Sequence, residues 1–157
     1  MSMNITSEDA EYNNVRYKED RLFNENVVRQ IERCHDMEYV SHMRYLRIDG
    51  FELDVVAFFQ TKRGITRSFG FELKEANWEE VLLQTLKRRY LFDYYYVVID
   101  LRSLTLFRRL FWYNMETTLK ELYEIKYNKI GIICRDGILI PSGFKKGSFT
   151  ILNGFEG

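Results

Sequence analysis

Proline is nearly absent from this sequence, and cysteine and histidine are scarce. Pro141 is the single proline in 157 residues, so no proline-rich linker is available to separate two domains. Cys34 and Cys134 lie far apart without CxxC spacing, which argues against a structural zinc site. They are predicted to be small buried residues, with a disulfide as the less favoured alternative. Two histidines, His35 and His42, are too few for a histidine-based metal site.

The sequence also lacks a net charge and a long apolar run. Its 23 basic side chains balance its 23 acidic ones, which argues against a protein that holds polyanions through overall charge. No apolar stretch reaches the roughly 18 residues of a membrane helix. The first ten residues have no apolar run of the kind a secretory signal requires. A cytoplasmic protein with neither a membrane partner nor an organic cofactor is predicted.

What the sequence does contain describes one ordinary folded domain. The length is that of a single domain with a real core, and 46% of the residues are apolar while 29% are charged. Aromatic residues are unusually frequent at 16%. Residues 1–20 are polar without apolar periodicity and are predicted to form a flexible N-terminal arm. Residues 21–157 are predicted to form the domain.

Hydrophobic periodicity predicts an α/β fold, of element order α-β-β-β-α-β-α-β-β, with a central mixed sheet flanked by helices. Apolar residues recur every three or four positions in the helices, and β-branched or aromatic residues dominate the strands. The segment 101–115 is ambiguous. The predicted helices are 21–35, 77–92 and 116–126, and the predicted strands are 39–48, 51–59, 68–74, 93–100, 129–134 and 138–140.

The most informative feature is the position of two carboxylates. Asp54 and Glu72 each lie in the middle of a strongly apolar strand, where an unpaired acid is costly to bury. A short glycine-containing loop joins the two strands, which predicts an antiparallel hairpin. Pairing in that hairpin can bring Asp54 and Glu72 to directly opposed or diagonal positions on one face, about 5–8 Å apart. Lys74 lies on the same face, roughly 7 Å further along the strand.

Two neighbouring anions repel each other in a low-dielectric setting, so a cation must neutralise them. Magnesium takes one or two protein carboxylates and keeps several waters, which leaves room for a phosphate. The metal would polarise a phosphodiester and acidify a water that Lys74 orients. An ExK triplet alone more often forms a structural ion pair. The preceding acid, the hairpin and a following helix with Gln84 favour the catalytic interpretation.

Asp54, Glu72-Leu73-Lys74 and Gln84 resemble the PD-(D/E)XK superfamily of restriction-endonuclease-like nucleases, over residues 21–140. The resemblance implies that Asp54 and Glu72 bind Mg²⁺ or Mn²⁺, that Lys74 is catalytic and that Gln84 assists. A glutamate on the first helix joins the site in these enzymes and corresponds to Glu25. The fold implied is a restriction-endonuclease-like core, and the implied activity is hydrolysis of double-stranded DNA.

The sequence departs from the family pattern at several points. Leu53 stands where the family has proline, and Glu52 shares a face with Asp54 and is an alternative ligand. Glu32 competes with Glu25 for the role of the first-helix acid. The length, the aromatic content and the D…ELK pattern also resemble small nuclease-like proteins encoded by filamentous viruses of hyperthermophilic archaea, for which the compartment would be the host cytoplasm.

Clustered basic residues are candidates for DNA backbone contacts, with a solvated surface as the alternative for each cluster. The hairpin loop carries Lys62, Arg63 and Arg67, and the helix after ExK carries Lys87 and Arg88. The aromatic segment 107–113 is predicted to be core or a homodimer contact, with base stacking as the less favoured alternative. Two rival functions remain: a non-catalytic DNA-binding protein on the same fold, and a structural or interaction protein of a virion.

Overall fold

The structure is a computed structural model that describes residues 18–149, apart from the side chain of Tyr113. A short 3-10 turn over Arg89–Leu91 follows the second helix. The helices and strands, in chain order, are α1 (Glu25–His35), β1 (Met37–Ile48), β2 (Phe51–Thr61), β3 (Thr66–Lys74), α2 (Trp78–Arg88), β4 (Tyr94–Ile99), α3 (Ser103–Tyr113), α4 (Met115–Tyr127), β5 (Ile130–Cys134) and β6 (Gly137–Ile140).

The six strands form one mixed sheet in the order β1-β2-β3-β4-β5-β6. Strands β1, β2 and β3 are antiparallel neighbours, β3, β4 and β5 run parallel, and β6 returns antiparallel to β5. The predicted α/β class with a central mixed sheet is confirmed. The predicted order needs one correction, because the ambiguous segment 101–115 contains a further helix, α3. Asn114 separates α3 from α4 by accepting a hydrogen bond from the backbone of Thr117 at 3.1 Å.

Part of the predicted N-terminal arm, 1–20, lies outside the described residues, as do residues 150–157 of the predicted domain. Residues 18–20 are helical. The side chain of Asp20 accepts a hydrogen bond from the hydroxyl of Tyr45 on β1 and lies 3.8 Å from Arg44. The described end of the arm therefore lies against the first strand.

Helix α1 begins later than the periodicity predicts because a side chain caps it. Asn24 accepts a hydrogen bond from the backbone N–H of Val27 at 3.0 Å and sets the first turn at Glu25 rather than at Arg21. The helix ends at Asp36, whose backbone is left-handed. Val27, Val28 and Ile31 form its buried stripe.

Helices cover both faces of the sheet. Helix α1 packs on one face, where its apolar stripe meets alternate residues of β2, β3 and β4 such as Val55, Phe71 and Tyr96. Helices α2, α3 and α4 cover the other face over β4 and β5. None of the helices within residues 18–149 is long and apolar enough to cross a membrane.

The two cysteines are both free within the described part of the chain. Cys134 is buried in the core of the α2 face, as predicted. Cys34 was predicted to be buried but is exposed. The spacing of three after Ile31 places it at the margin of the apolar stripe of α1, where the helix turns toward solvent.

Gly70 on β3 provides space for an aromatic ring on the α2 face. A Cβ at this position would come within 2.7 Å of the ring of Tyr95 and 2.5 Å of the ring of Phe92. Gly70 pairs with Tyr95 in the parallel register of β3 and β4. The missing side chain therefore lets the Tyr95 ring lie against β3, close to the position of Glu72.

The buried guanidinium of Arg89 links three chain segments at the amino end of β4 through hydrogen bonds. Arg89 is 2% exposed and donates hydrogen bonds to four backbone carbonyl oxygens at 2.5–3.2 Å. Burial lowers its pKa to about 10, which keeps it cationic at neutral pH. The acceptors belong to Phe92, Asp93, Asn128 and Gly143.

We expect Arg89→Lys to destabilise the fold by at least about 3 kcal/mol, since each buried carbonyl left without a donor costs about 1–3 kcal/mol. A lysine ammonium is a point charge and cannot reproduce the planar set of donors. Urea unfolding measures the free energy, with the exposed Arg33→Lys as the matched control. Equal unfolding free energies for the two variants would contradict this role for Arg89.

Candidate active site

Asp54 and Glu72 lie on the same face of the antiparallel hairpin that the sequence predicts. The β2–β3 register pairs Val55 with Phe71, so the next step along both strands brings Asp54 opposite Glu72. Glu72 is 3% exposed, whereas Asp54 is half-buried. The two carboxyl groups are close enough for a side-chain hydrogen bond.

Protein donors surround both carboxyl groups. The Oδ2 atom of Asp54 accepts a hydrogen bond from the backbone N–H of Leu73 at 2.9 Å. The Oε1 atom of Glu72 accepts one from the hydroxyl of Tyr95 at 2.9 Å, and the Nε of Arg88 lies 3.5 Å from the same oxygen. Burial raises the pKa of Tyr95, and the neighbouring Glu72 adds to the effect, so the hydroxyl remains a donor.

Burial changes the protonation of Glu72. Desolvation and, after it, the negative charge of Asp54 raise its pKa, and Arg88 lowers it, so that the pKa comes to about 8. At neutral pH and without a bound cation, Glu72 therefore holds a proton that it can donate to Asp54. The pair shares one proton and one negative charge, which is the physical alternative to two anions neutralised by a metal.

Lys74 and Gln84 meet at a third acid that sequence reasoning missed. The Nζ of Lys74 lies 3.4 Å from Oε1 of Glu80, and Gln84 donates to the same oxygen at 3.3 Å. Asn77 donates to the other oxygen of Glu80 at 3.0 Å. The helical spacing of four places Glu80 and Gln84 on one face of α2. That spacing was the available signal, but Glu80 carried no motif to single it out.

The structure places Glu19, rather than Glu25, beside the carboxyl pair. Burial raises the pKa of Glu19, Lys74 lowers it, and Asp54 raises it, which identifies the nearby charges. The side chain of Glu25 is 82% exposed and lies 3.4 Å from Arg29. The helix-one assignment is therefore corrected: Glu25 lies on the solvent face of α1. No periodicity marks Glu19, so the sequence offered no signal for it.

The two alternative acids are engaged elsewhere. Glu32 accepts hydrogen bonds from Arg29 at 2.5 Å and from the backbone of Tyr39 at 3.0 Å. Glu52 lies 3.6 Å from Arg47 of the neighbouring strand β1. These contacts give both residues a role in local packing.

The residues predicted to contact DNA lie at the end of helix α2 and in the β2–β3 hairpin. Lys87 is exposed at the end of α2, whereas Arg88 turns inward to Glu72. In the β2–β3 hairpin, Lys62 pairs with Asp36 at 2.9 Å, and the guanidinium of Arg67 lies 4.5 Å from the ring centre of Phe144. Arg63 is exposed at the tip.

The basic hairpin tip lies at the far end of the strands from the carboxyl pair. The seven steps along β2 from Asp54 to Thr61 span about 23 Å at about 3.3 Å per step. A contact at the tip would therefore grip a ligand at a distance from the pair, with no direct contact to it.

The aromatic segment 107–113 forms most of α3, and its outer face is exposed. Phe107 and Phe111 stack at 6.0 Å, while Trp112 is 86% exposed. The core contacts of this helix come from Leu106 and Leu110 instead. The core alternative for Phe107 and Trp112 is therefore wrong, and the homodimer contact stays a prediction.

The donor set fits a hard divalent cation through two carboxylates. Among residues 18–149, no group of three or more His, Cys, Asp or Glu side chains is arranged to hold a metal ion. Magnesium nevertheless takes only one or two carboxylates and keeps its waters. Asp54 and Glu72 supply that number, and Glu19 adds negative charge nearby.

Comparisons with known proteins show little. No protein-family model matches the sequence, and no curated protein matches it either. A solved structure of a protein of unknown function from Silicibacter pomeroyi is similar, at 12% identity over 83% of this chain and 74% of that chain, with a TM-score of 0.44. A likeness this distant says nothing about the activity of either chain.

The buried carboxyl pair makes stability depend on pH. Between pH 4.5 and about 8 the folded protein keeps a proton on Glu72 that the unfolded chain has lost, so the unfolding free energy falls as pH rises through this window. We expect Glu72→Gln to remove that loss, which is on the order of 5 kcal/mol for about 3.5 pKa units at about 1.4 kcal/mol per unit.

Urea unfolding at pH 5, 6.5 and 8.5, in chelator, checks this expectation. The exposed Glu79→Gln serves as the control and should follow the wild type. Parallel pH dependence of the wild type and Glu72→Gln would contradict the raised pKa.

Proposed function

We propose that this protein is a divalent-metal-dependent deoxyribonuclease of the PD-(D/E)XK type, with Asp54 and Glu72 as metal ligands and Mg²⁺ or Mn²⁺ as the ion. The observation that carries the proposal is the convergence of two mid-strand carboxyl groups on one sheet face, with Lys74 two residues beyond Glu72. The element order from α1 to β4, which is α-β-β-β-α-β, also agrees with the restriction-endonuclease-like core that the resemblance implies.

The side chains support hydrolysis of a phosphodiester. A bound dication would polarise the phosphate and lower the pKa of a water. Asp54 and Glu72 would hold it, and the proton that the pair otherwise shares would be released to water. Lys74 stands on the same face as Glu72, where its ammonium can orient a nucleophilic water or stabilise charge on the phosphate. Gln84 and Glu80 fix the position of Lys74.

The substrate in this proposal is double-stranded DNA. Lys62, Arg63 and Arg67 at the hairpin tip, together with exposed Lys87, would contact backbone phosphates, which positions a duplex without reading its sequence. The exposed aromatic face of α3 is the proposed homodimer contact, so that two sites could cut both strands. An origin in a filamentous virus of hyperthermophilic archaea remains part of the hypothesis.

One observation favours a second candidate, a non-catalytic DNA-binding protein on the same fold. The Oε1 atom of Glu72 is already engaged by Tyr95 and approached by Arg88, and Lys74 is engaged by Glu80. These contacts would also suit a carboxyl pair that no longer binds metal. Such a protein would bind DNA without degrading it.

We expect purified protein to degrade linear duplex DNA with Mg²⁺ or Mn²⁺ and to be inactive with chelator. Glu72→Gln and Asp54→Asn should each lower the cleavage rate at least about a hundredfold, because even an outer-shell partner of a metal contributes about 10- to 100-fold. Lys74→Met should do the same while retaining metal binding. The exposed Glu25→Gln is the control and should retain the wild-type rate.

Gel electrophoresis of the DNA and gel shift in chelator separate the candidates. Binding without degradation would support the non-catalytic alternative. Full activity in Glu72→Gln would refute the assignment of the site.

A further inference from the structure

Arg88 is a half-buried cation beside Glu72 of the carboxyl pair. Its side chain is 16% exposed, and its Nε lies 3.5 Å from Oε1 of the buried Glu72. The helical spacing of four carries Glu80, Gln84 and Arg88 along one face of α2, so the helix delivers this guanidinium to β3.

The guanidinium is held in place but is not fully satisfied. One terminal nitrogen donates to the backbone carbonyl of Gln84 at 3.0 Å, and the group lies 5.0 Å from the ring centre of Phe51. The Nε is buried and has no hydrogen-bond partner of good geometry among residues 18–149. A buried donor without a partner costs free energy, so this contact with Glu72 is one of charge rather than of an optimal hydrogen bond.

The position of Arg88 argues against a direct phosphate contact. Its charge is covered by Phe51 and directed at Glu72, whereas its neighbour Lys87 carries the same charge in solvent. A cation beside a carboxylate stabilises the ionised form of that carboxylate, and it also repels a second cation that approaches the same group. Both effects act on Glu72 here.

We propose that Arg88 is a resident counter-ion of Glu72 that competes with the divalent cation and thereby weakens cation binding at the Asp54–Glu72 pair. The inference rests on the proposed function, because the competing ion is the one proposed there. Since Tyr95 and Arg88 both lie at Oε1 of Glu72, and Oδ2 of Asp54 accepts from the backbone of Leu73, the other oxygen of each carboxyl group is left for the ion. Arg88 is a positioning residue in this scheme, since it acts through Glu72.

The other charged groups around the pair do not replace Arg88. Lys74 is directed at Glu80, 3.4 Å away, and Glu19 adds negative charge near Asp54. The tyrosine hydroxyl of Tyr95 donates a hydrogen bond but carries no charge. Among these neighbours Arg88 is the cation that meets Glu72 at short distance.

The test measures Mn²⁺ binding directly, without any cleavage assay. Isothermal titration calorimetry, supported by the electron paramagnetic resonance signal of free Mn²⁺, gives the dissociation constant for metal-free protein at pH 8.5, above the pKa of about 8 for Glu72, where the wild-type carboxyl group is ionised and Arg88 faces a charged partner. We expect Arg88→Met to bind Mn²⁺ at least about tenfold more tightly than the wild type, a difference of about 1.4 kcal/mol. Lys87→Met, which removes the same charge from the exposed neighbour, should stay within about twofold of the wild type.

Two further variants guard against a folding artefact. Arg88→Gln removes the charge with a smaller side chain and should also bind more tightly, whereas Arg88→Lys retains the charge and should bind like the wild type. Unfolding in chelator establishes that each variant is folded. Glu72→Gln should abolish binding in every background.

The outcomes separate this inference from the proposed function. Tighter binding by Arg88→Met and Arg88→Gln, with Lys87→Met unchanged, supports competition by Arg88. Unchanged or weaker binding by both neutral variants overturns it, while binding that still depends on Glu72 leaves the metal site standing. Mn²⁺ binding that survives Glu72→Gln, or is absent from all variants, overturns both.

Discussion

The burial of Glu72 in the middle of an apolar sheet is the constraint to which the surrounding structure responds. A carboxyl group that is 3% exposed must be neutralised by a proton or satisfied by donors and cations. The structure supplies three compensations: a neighbouring carboxyl group that shares a proton, a tyrosine hydroxyl, and a guanidinium. Each of them depends on a different element, so β2, β4 and α2 must all pack correctly around β3 for the carboxyl group to be tolerated.

Helix α2 divides the polar residues into two sets. In its first two turns, Glu80 binds Lys74 at the end of β3 and also accepts a hydrogen bond from Gln84. In its last turn, Arg88 lies beside Glu72 in the middle of β3. Lys74 and Glu72 share a face of the same strand, but opposite charges on α2 attract them to different partners. The separation keeps the lysine from forming an internal ion pair with Glu72.

The sequence predicts the α/β class with a mixed sheet, and the carboxyl pair, because both follow from local patterns. Apolar alternation placed Asp54 and Glu72 on one hairpin face, and the antiparallel register then needed only a short loop. Asn77 caps α2, close to the start predicted for that helix. Helix α3 was ambiguous because its outer face carries exposed Phe107 and Trp112, which removes the polar side that marks an amphipathic helix.

The residues that the sequence did not predict are those placed by non-local pairing. In the sequence, Tyr95 is one of three consecutive tyrosines in a predicted buried strand. Its hydroxyl reaches Glu72 because the parallel register of β3 and β4 places Tyr95 beside Gly70. Glu19 precedes the first periodic helix by several residues and reaches Asp54 through the packing of residues 18–20.

The contact of Arg88 with Glu72 is also one that the sequence did not predict. Consecutive basic residues on a helix are most often exposed to solvent, and the sequence pattern predicts the same surface role for Lys87 and Arg88. One step along a helix rotates the side chain by about 100°, so adjacent residues of equal charge point in different directions, Lys87 to solvent and Arg88 to the carboxyl pair.

The proton, the guanidinium and a dication are alternative ways of neutralising the carboxyl group of Glu72, and stabilisation by one of them lowers the occupancy of the others. A site built around a buried acid therefore cannot be assigned from its carboxylates alone, because its affinity for a metal is set as much by the cations that the fold already places beside them.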